Sequence, residues 1–577
     1  MKKITVLSPE TAQKIAAGEV IERPASAVKE LVENSLDAGA ADIRVELLDG
    51  GKKLIKVQDN GEGMSQEDAV LCFRRHSTSK IATDADLDRV STLGFRGEAL
   101  ASISAVSRLT LKTSDGGDRG TQVEREADRL LGISDIAFPR GTTIEVRSLF
   151  FNLPARLKFL RSERSELSFI STYLTHAALA YPEVRFVLVH GSREIMNCPP
   201  VAGLRERIFQ IYGKSILDNL MDVDYAEDGF RIEGFSSTPV TGRAGRSRQL
   251  FYVNRRPVKD RMLQAALNQA YRSFLEKDKS AEAFLFLTVP FAEVDVNVHP
   301  AKAEVRFRDS QAVFRLVLRG IEKAMLRISR IKEIYPQPEK ESSGPGSRVE
   351  EETEASIFGS SFPDTGDRTR PAARPAAAAA PGPPGRSGPA VLGQYENMYI
   401  VAASGEGLLI IDQHNAHERV LFEKYLQIDG ERNWPRKMLL IPALLELSPS
   451  QVLSFESSRE ALEEMGFRVE PMGGRSYALK EYPDIFKDKE AENIFLALLE
   501  EAGSGEDPSA GRREKFLATL ACKTAVKAGE PLPYEKMEFL VDELFKTPRS
   551  SLCPHGRPIV VRIEKSQIDK GLRRPSN

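Results

Sequence analysis

Histidine, cysteine and carboxylate side chains are concentrated in three short segments near the end of this 577-residue chain. Carboxylate, imidazole and thiolate groups together suit Zn²⁺ or Mn²⁺. A structural zinc site, or simple capping of a helix by the first aspartate, would account for the same pattern. The candidate metal ligands are Asp412, His414, Glu418, Cys522, Cys553 and His555.

The first of these segments is predicted to be a strand followed by a helix. Residues 399–403 and 408–411 alternate as strands around Gly405-Glu406-Gly407, which is typical of a hairpin. Asp412 and His414 are expected on one face of the strand end, with Glu418 in the first turn of the helix. His417 is expected to face solvent.

A second set of polar residues lies near the N-terminus, on a predicted helix over residues 25–39. Glu30, Asn34 and Asp37 follow each other at i, i+4 and i+7, opposite an apolar side. Gly39 stands where a left-handed C-terminal cap would end the helix. Taken alone, this is also the pattern of an ordinary amphipathic helix with a solvated polar face.

Three glycine-containing motifs follow this helix in order. They are D-N-G-E-G from Asp59, G-F-R-G-E-A-L from Gly94, and Gly141-Thr142-Thr143 opening a strand. With the helix they resemble the ATP site shared by gyrase, a heat-shock chaperone family, histidine kinases and MutL. The flanking sequences E-V-I-E-R-P (19–24), R-H-S-T-S-K-I (75–81) and F-F-N-L-P-A-R (150–156) narrow the resemblance to the MutL family of DNA mismatch repair proteins.

The resemblance implies an ATPase that requires ATP and Mg²⁺. Glu30 would be the general base that polarises the attacking water, and Asn34 the Mg²⁺ ligand. Asp59 would accept a hydrogen bond from the adenine amino group. Gly61 and Gly63 would allow close approach of the backbone to the base, and Gly94, Arg96 and Gly97 would form a lid that holds the phosphates. Thr143 would support Asp59, and Lys302 would reach the γ-phosphate.

The expected fold class is α+β multidomain. Residues 1–213 would form an α/β-sandwich ATPase domain of the gyrase, histidine kinase and MutL type. The resemblance further implies that residues 214–334 form a ribosomal-protein-like α/β transducer domain that carries Lys302, and that residues 391–577 form an α+β dimerisation and endonuclease domain. The segment 335–390 contains ten prolines together with Ser, Gly and an alanine run, so it is predicted to be a disordered linker.

The three C-terminal segments resemble the endonuclease motifs of MutL proteins that nick DNA. Asp412 and Glu418 would then act in metal-assisted phosphodiester hydrolysis. The family pattern has Ala where Asn415 stands, but that position is not a ligand, so activity is expected to survive. The alternative is an ATP-driven scaffold that recruits a separate nuclease. A sensor kinase or a chaperone fits less well, because the ATP motifs begin near the N-terminus and a Pro-rich segment occupies the middle of the chain.

A local basic patch stands out in a chain whose net charge is only −2. Between residues 241 and 262, seven basic residues face the single acid Asp260, which fits phosphate contacts to double-stranded DNA without base readout. The candidate DNA-binding residues are Arg243, Arg246, Arg248, Arg255, Arg256 and Arg261.

The resemblance also implies partners: a second copy of the chain, a MutS-type mismatch sensor and the replication sliding clamp. Relatives carry a Gln-led clamp segment where this chain has K-M-L-L-I-P at 437–442, so either the motif has diverged or the clamp contact lies elsewhere. The four cysteines do not suggest a disulfide framework. Without a signal peptide or a long apolar run, the protein is expected to be cytoplasmic, associated with the nucleoid and without a membrane span.

Overall fold

The computed structural model describes residues 20–80, 92–94, 97–239, 243–244, 248–275, 279–295, 305–334, 389–504, 512–527 and 529–572. Most of the predicted linker, together with Arg96, Arg246 and Lys302, lies outside these ranges. Internal contacts divide the chain into two compact units, Met1–Gly344 with Glu446–Val452, and the rest from Pro345 onward. No helix in the described ranges is long and apolar enough to cross a membrane.

The N-terminal unit begins with the predicted polar-faced helix, α1. It spans Pro24–Asp37, with Pro in its first turn and Gly39 at φ +67° just beyond its end, as the sequence predicts. Its apolar side is buried through Val28, Leu31 and Val32. The further helices of this part are α2 Gln66–Leu71, α3 Ala99–Ala105, α4 Pro154–Phe159, α5 Glu163–Ala180, α6 Leu204–Tyr212 and α7 Lys214–Leu217.

Eight strands of the described residues form one mixed sheet in the order β5-β4-β3-β6-β2-β1-β7-β8. The predicted hairpin is present: β1 and β2 pair antiparallel, while β1 and β7 pair parallel. Helix α1 packs on α5 and β2, and its Ser35 hydroxyl donates a hydrogen bond to Asp59 at the end of β2. The strands are β1 Asp42–Leu48, β2 Leu54–Asp59, β3 Arg108–Ser114, β4 Gly120–Glu126, β5 Arg129–Ile136, β6 Gly141–Arg147, β7 Arg185–His190 and β8 Arg193–Cys198.

The next part of this unit is a second α/β layer, as predicted. Its main sheet, within the described residues, has the order β13-β12-β15-β10-β9, and two helices cover it. The core lies between sheet and helices, and includes Ile232, Leu285, Leu267 and Val317. The elements are β9 Leu220–Glu227, β10 Phe230–Ser237, β11 Arg243–Ala244, β12 Gln249–Val253, β13 Arg256–Val258, α8 Arg261–Ala270, β14 Lys279–Ser280, β15 Ala283–Thr288, β16 Val294–Asp295, β17 Arg306–Phe307 and α9 Ser310–Ile334.

The C-terminal unit contains two sheets, and the predicted hairpin of residues 399–411 is present. Strands β18, β19, β20 and β24 form one sheet, and β21, β23 and β22 another, among the described residues. A core of Ile400, Leu409, Ile411 and Leu540 fills the space between the first sheet and its helices. The elements are β18 Ala390–Tyr395, β19 Tyr399–Ser404, β20 Gly407–Asp412, α10 Gln413–Gly430, β21 Arg436–Glu446, α11 Pro449–Glu464, β22 Arg468–Gly473, β23 Ser476–Pro483, α12 Asp488–Ser504, α13 Arg512–Thr524, α14 Tyr534–Lys546, β24 Val560–Glu564 and α15 Lys565–Gly571.

Candidate ATP and metal sites

The predicted general base and magnesium ligand lie one turn apart on α1. The Glu30 carboxylate is 18% exposed and 3.7 Å from the Lys29 ammonium. The Asn34 amide oxygen accepts a hydrogen bond from Lys80 Nζ at 2.9 Å. A cation therefore sits at the oxygen that the sequence assigns to Mg²⁺.

One turn further along α1, Asp37 organises the neighbouring chain. Its carboxylate accepts from Lys80 Nζ at 2.5 Å, from the Leu93 N–H at 2.8 Å and from the Gly94 N–H at 3.0 Å. The amide of Gly94, predicted to hold phosphate, is thus directed at Asp37 here. Sequence reasoning placed Asp37 on the polar face but gave it no role. Lys80 is part of the motif R-H-S-T-S-K-I but was given no role. The helical spacing of Asp37 and the motif around Lys80 were the sequence signals that could have identified these two residues.

The adenine-binding candidate Asp59 ends β2 in a fixed orientation. Its carboxylate accepts from Ser35 Oγ at 2.7 Å, from the Gly61 N–H at 3.0 Å and from the Thr142 N–H at 3.2 Å. Burial raises the pKa of Asp59, and these three hydrogen bonds partly offset that rise. Thr143, predicted to support Asp59, is buried opposite Gln58, and the donor to Asp59 from this strand is the backbone N–H of Thr142.

Two of the predicted glycines are required by close backbone approach. A Cβ on Gly63, at φ +72°, would lie 1.9 Å from the Ser114 carbonyl oxygen. A Cβ on Gly97, at φ +61°, would lie 2.4 Å from the Ser77 carbonyl oxygen. Both positions therefore exclude any side chain larger than hydrogen, because the chain's own backbone fills the space that a Cβ would need.

The C-terminal ligand candidates converge from three segments far apart in sequence. His414 and Glu418 project from α10, Cys522 from α13, and Cys553 and His555 from the loop before β24. Ligand atoms of His414, Glu418 and Cys522 lie within 4.8 Å of one another, and so do those of Glu418, Cys553 and His555. Glu418 is common to both groups, so one carboxylate could serve two adjacent cations.

The geometry around Glu418 is that of a compact polar pocket. Its two carboxylate oxygens lie 3.3 Å from His414 Nε2 and 3.4 Å from His555 Nδ1, and its side chain is 4% exposed. His414 lies inside α10 rather than on the strand end, so His414 and Glu418 are an i, i+4 pair on one helix face. The strand-end placement of His414 and the first-turn placement of Glu418 were therefore wrong.

Electrostatics in this pocket favour anionic ligands beside cations. Hydrogen bonding to Cys522, followed by that to Glu418, raises the pKa of His414 to about 11. Hydrogen bonding to Cys553 and then to Glu418 raises the pKa of His555 to about 10. Burial raises the pKa of Glu418, but hydrogen bonds from both histidines and Cys522 outweigh it, so the net pKa is lowered. A bound metal would take the place of the histidine protons.

Two residues near this pocket differ from expectation. Asp412 caps α10 by accepting a hydrogen bond from the Asn415 N–H at 2.9 Å, and among the described residues it belongs to neither ligand group. The solvent-facing prediction for His417 is wrong, because the residue is 7% exposed and its Nδ1 accepts a hydrogen bond from the Val526 N–H at 3.0 Å. His417 thus ties α10 to the segment that follows Cys522.

The basic patch is smaller than the charge count suggests. The structure contradicts an exposed phosphate-binding role for Arg248, which pairs with Glu282 at 2.6 Å in a largely buried position. It also contradicts that role for Arg256, which is 8% exposed. Arg255 and Arg261 are exposed. Arg243 lies on β11 and its side chain is not described, and Arg246 falls outside the described residues.

Three family models match successive parts of the chain. A model described as a histidine kinase-, DNA gyrase B- and HSP90-like ATPase matches residues 21–128. A "DNA mismatch repair protein, C-terminal domain" model matches residues 208–326, and a MutL C-terminal dimerisation domain model matches residues 392–532. The DNA mismatch repair protein MutL of Koribacter versatilis is 39% identical, covering 100% of both chains.

This chain belongs to the MutL family of DNA mismatch repair proteins. The chain is also similar to the MutL proteins of Trichlorobacter lovleyi, with 38% identity over 99% of both chains, and of Acidobacterium capsulatum, with 36% identity over 100% of both. The solved Aquifex aeolicus MutL ATPase domain complexed with ADP is 28% identical, covering 52% of this chain and 98% of its own, with a TM-score of 0.37. The α+β multidomain fold, the ATPase domain and the C-terminal dimerisation domain predicted from sequence are confirmed.

Proposed function

We propose that this protein is an ATP-switched dimer that hydrolyses ATP in its N-terminal domain and nicks DNA at a C-terminal metal centre. The observation that carries the nuclease half is the convergence of four ligand-type side chains on the Glu418 carboxylate: His414, Cys522, Cys553 and His555. Three separate segments of the chain supply them, which a simple helix cap would not require. The proposed domains are those predicted from sequence, 1–213, 214–334, 335–390 and 391–577. The matched ranges 21–128 and 392–532 fall inside the first and last of these, and the range 208–326 begins six residues before the second.

In the ATPase half, the described residues fit a nucleotide with Mg²⁺. Asn34 and Asp37 already place two oxygens around the Lys80 ammonium, so this end of α1 suits a cation. Mg²⁺, when bound, would neutralise phosphate charge. Glu30 would orient the attacking water and accept its proton, and Asp59 would accept the adenine amino hydrogen bond. Gly61, Gly63, Gly94 and Gly97, with Arg96 and Lys302, are the proposed base and phosphate contacts.

In the nuclease half, the donor set fits Zn²⁺ or Mn²⁺. His414, Glu418 and Cys522 would hold one ion, and Glu418, Cys553 and His555 a second. The ions supply Lewis-acid stabilisation of a phosphate and a water of lowered pKa. The protein contributes the shared carboxylate and holds His414 through its Nδ1, 2.8 Å from the Val526 carbonyl oxygen. Asp412 could contribute only by giving up its capping hydrogen bond.

The nuclease proposal is tested with supercoiled plasmid and the whole protein in Mn²⁺. Glu418→Gln should abolish nicking and lower the bound metal per chain, because both ligand groups lose their common carboxylate. Glu431→Gln, at the solvent-exposed end of the same helix, is the matched control and should nick normally. Nicking that persists in Glu418→Gln would refute the site. Wild-type protein that hydrolyses ATP but does not nick would leave the scaffold alternative.

The dimer proposal has a structural counterpart in the sheet β18-β19-β20-β24. Val401, Ile410 and Val561 lie side by side across three of its strands, on the face opposite the core residues Ile400 and Ile411. Val561 is 57% exposed. An apolar row of this kind fits a second copy of the chain. Val561→Asp should therefore shift the protein toward monomer in sedimentation analysis.

Exposed Arg255 and Arg261, with Lys259 between them, support contact with the phosphates of double-stranded DNA. Binding through these cations should weaken steeply with salt and show little sequence preference. A MutS-type mismatch sensor is a proposed partner on family grounds. For the sliding clamp, Met438, Leu440 and Ile441 of β21 are strongly exposed, so an apolar segment before Pro442 is accessible although it lacks the leading glutamine.

A further inference from the structure

Arg256 occupies an unusual place for a residue in a basic stretch. It opens β13 directly after the two-residue turn Asn254-Arg255, where both residues have positive φ, 48° and 67°. That turn geometry matches a tight hairpin, in which Val253 and Arg256 face each other. Arg255 at the turn is exposed, whereas Arg256 is 8% exposed. The hairpin thus turns one arginine outward and buries the next.

The buried guanidinium reaches into the ATPase domain. Arg256 Nη2 donates a hydrogen bond to the backbone carbonyl oxygen of Thr92. The N–H of the same peptide group, that of Leu93, donates to Asp37 at 2.8 Å. A single peptide unit is therefore held at its oxygen by the transducer hairpin and at its nitrogen by the helix that carries Glu30 and Asn34.

Charge and burial fit this arrangement. Burial lowers the pKa of Arg256, and the neighbouring carboxylates of Glu33, Asp37 and Glu30 oppose that effect by stabilising the cation. Thr92 Oγ1 also donates to the Gly94 carbonyl oxygen at 2.8 Å, which stiffens the same short segment. A buried arginine aimed at a backbone carbonyl fixes position more firmly than lysine, because its planar fork is preorganised.

We propose that Arg256 is a positioning residue for ATP hydrolysis, acting through the Thr92–Leu93 peptide to hold the Thr92–Gly94 segment against Asp37. It couples the transducer hairpin to the ATP site without touching nucleotide. This inference rests on the ATPase activity proposed above. Arg256 is separate from the DNA contacts assigned to the exposed arginines around it.

The test compares the full-length variants Arg256→Gln and Arg256→Lys with Arg231→Gln. Arg231 is a matched control in the same domain, where it is exposed and pairs with Asp224 and Glu233. We expect Arg256→Gln to raise hydrogen exchange at the Leu93 amide and to lower ATPase kcat/KM by about tenfold or more, since small displacements at a site carry large rate costs. Arg256→Lys should recover part of both effects, and Arg231→Gln should change neither.

A mutant cycle with Asp37→Asn gives an independent readout. Because both residues hold one peptide group, the double variant should lose less than the sum of the single variants. Strict additivity, or a folded Arg256→Gln with wild-type kinetics and exchange, would overturn the proposal. If Arg256→Gln does not fold, the cycle is run with Arg256→Lys. Wild-type protein without ATPase activity would instead refute the proposed function, and the exchange at Leu93 would still report on Arg256.

Discussion

Asp37→Asn is the most informative single change in the ATPase domain. The substitution keeps the size of the side chain, but its NH₂ group would face either the Leu93 N–H, at the Oδ1 position, or both the Gly94 N–H and the Lys80 ammonium, at the Oδ2 position, and all three are donors. The Asp37 side chain is 8% exposed, so solvent cannot replace the lost partner. In either orientation the amide oxygen would keep one of the two backbone N–H bonds, from Leu93 or from Gly94, but without the charge that strengthens it.

The size of the effect follows from the bonds that are lost. A hydrogen bond to a charged group contributes about 1.5–3 kcal/mol, so losing one and weakening another should destabilise the Thr92–Gly94 segment locally by roughly 2–3 kcal/mol. That corresponds to roughly 30- to 150-fold faster hydrogen exchange at the Leu93 and Gly94 amides. Global unfolding should change less, because the core under α1 is untouched.

The assay is hydrogen–deuterium exchange of the wild-type and variant proteins without nucleotide, followed by ATPase kinetics. Asp42→Asn is the control, since its exposed ion pair with Arg185 at 3.1 Å should contribute about 0–1 kcal/mol. Exchange at Leu93 and Gly94 that matches wild type in a folded Asp37→Asn protein would show that Asp37 does not hold this segment, and the coupling assigned to Arg256 would lose its second anchor.

Two further outcomes follow from the same site. Gly63→Ala should destabilise the protein by well over the roughly 1 kcal/mol that a left-handed alanine costs, because its Cβ would lie 1.9 Å from the Ser114 oxygen. Gly39→Ala, at φ +67° with open space around it, should cost only about 1 kcal/mol. Both free energies are measured by urea unfolding, and equal losses would contradict the steric argument. ATP affinity should fall on acidification as the Asp59 carboxylate, whose pKa burial raises, takes up a proton and can no longer accept the adenine bond. Ser35→Ala removes a hydrogen bond that lowers this pKa, so it should move the midpoint to higher pH in an ATP titration; a midpoint that stays in place would argue against Asp59 as the adenine contact.

Sequence alone determined the local elements and the chemical types of both sites. The 3.6-residue period of α1 and the alternation of β1 and β2 are local properties, so their existence and the shared face of Glu30, Asn34 and Asp37 were predictable. The hairpin before α10 was equally readable. Turn glycines marked the ends of these elements, because a positive φ is strongly tied to residue type.

Only tertiary packing decided which of these residues meet and which are buried. Charge counting treated Arg248 and Arg256 as equals of Arg255, yet contacts with distant parts of the N-terminal unit bury the first two. Because α10 begins at Gln413, His414 lies on the same helix face as Glu418. Helix α10 packs on α13, and His417 is buried. Such outcomes depend on contacts between residues tens to hundreds of positions apart, which no local period encodes.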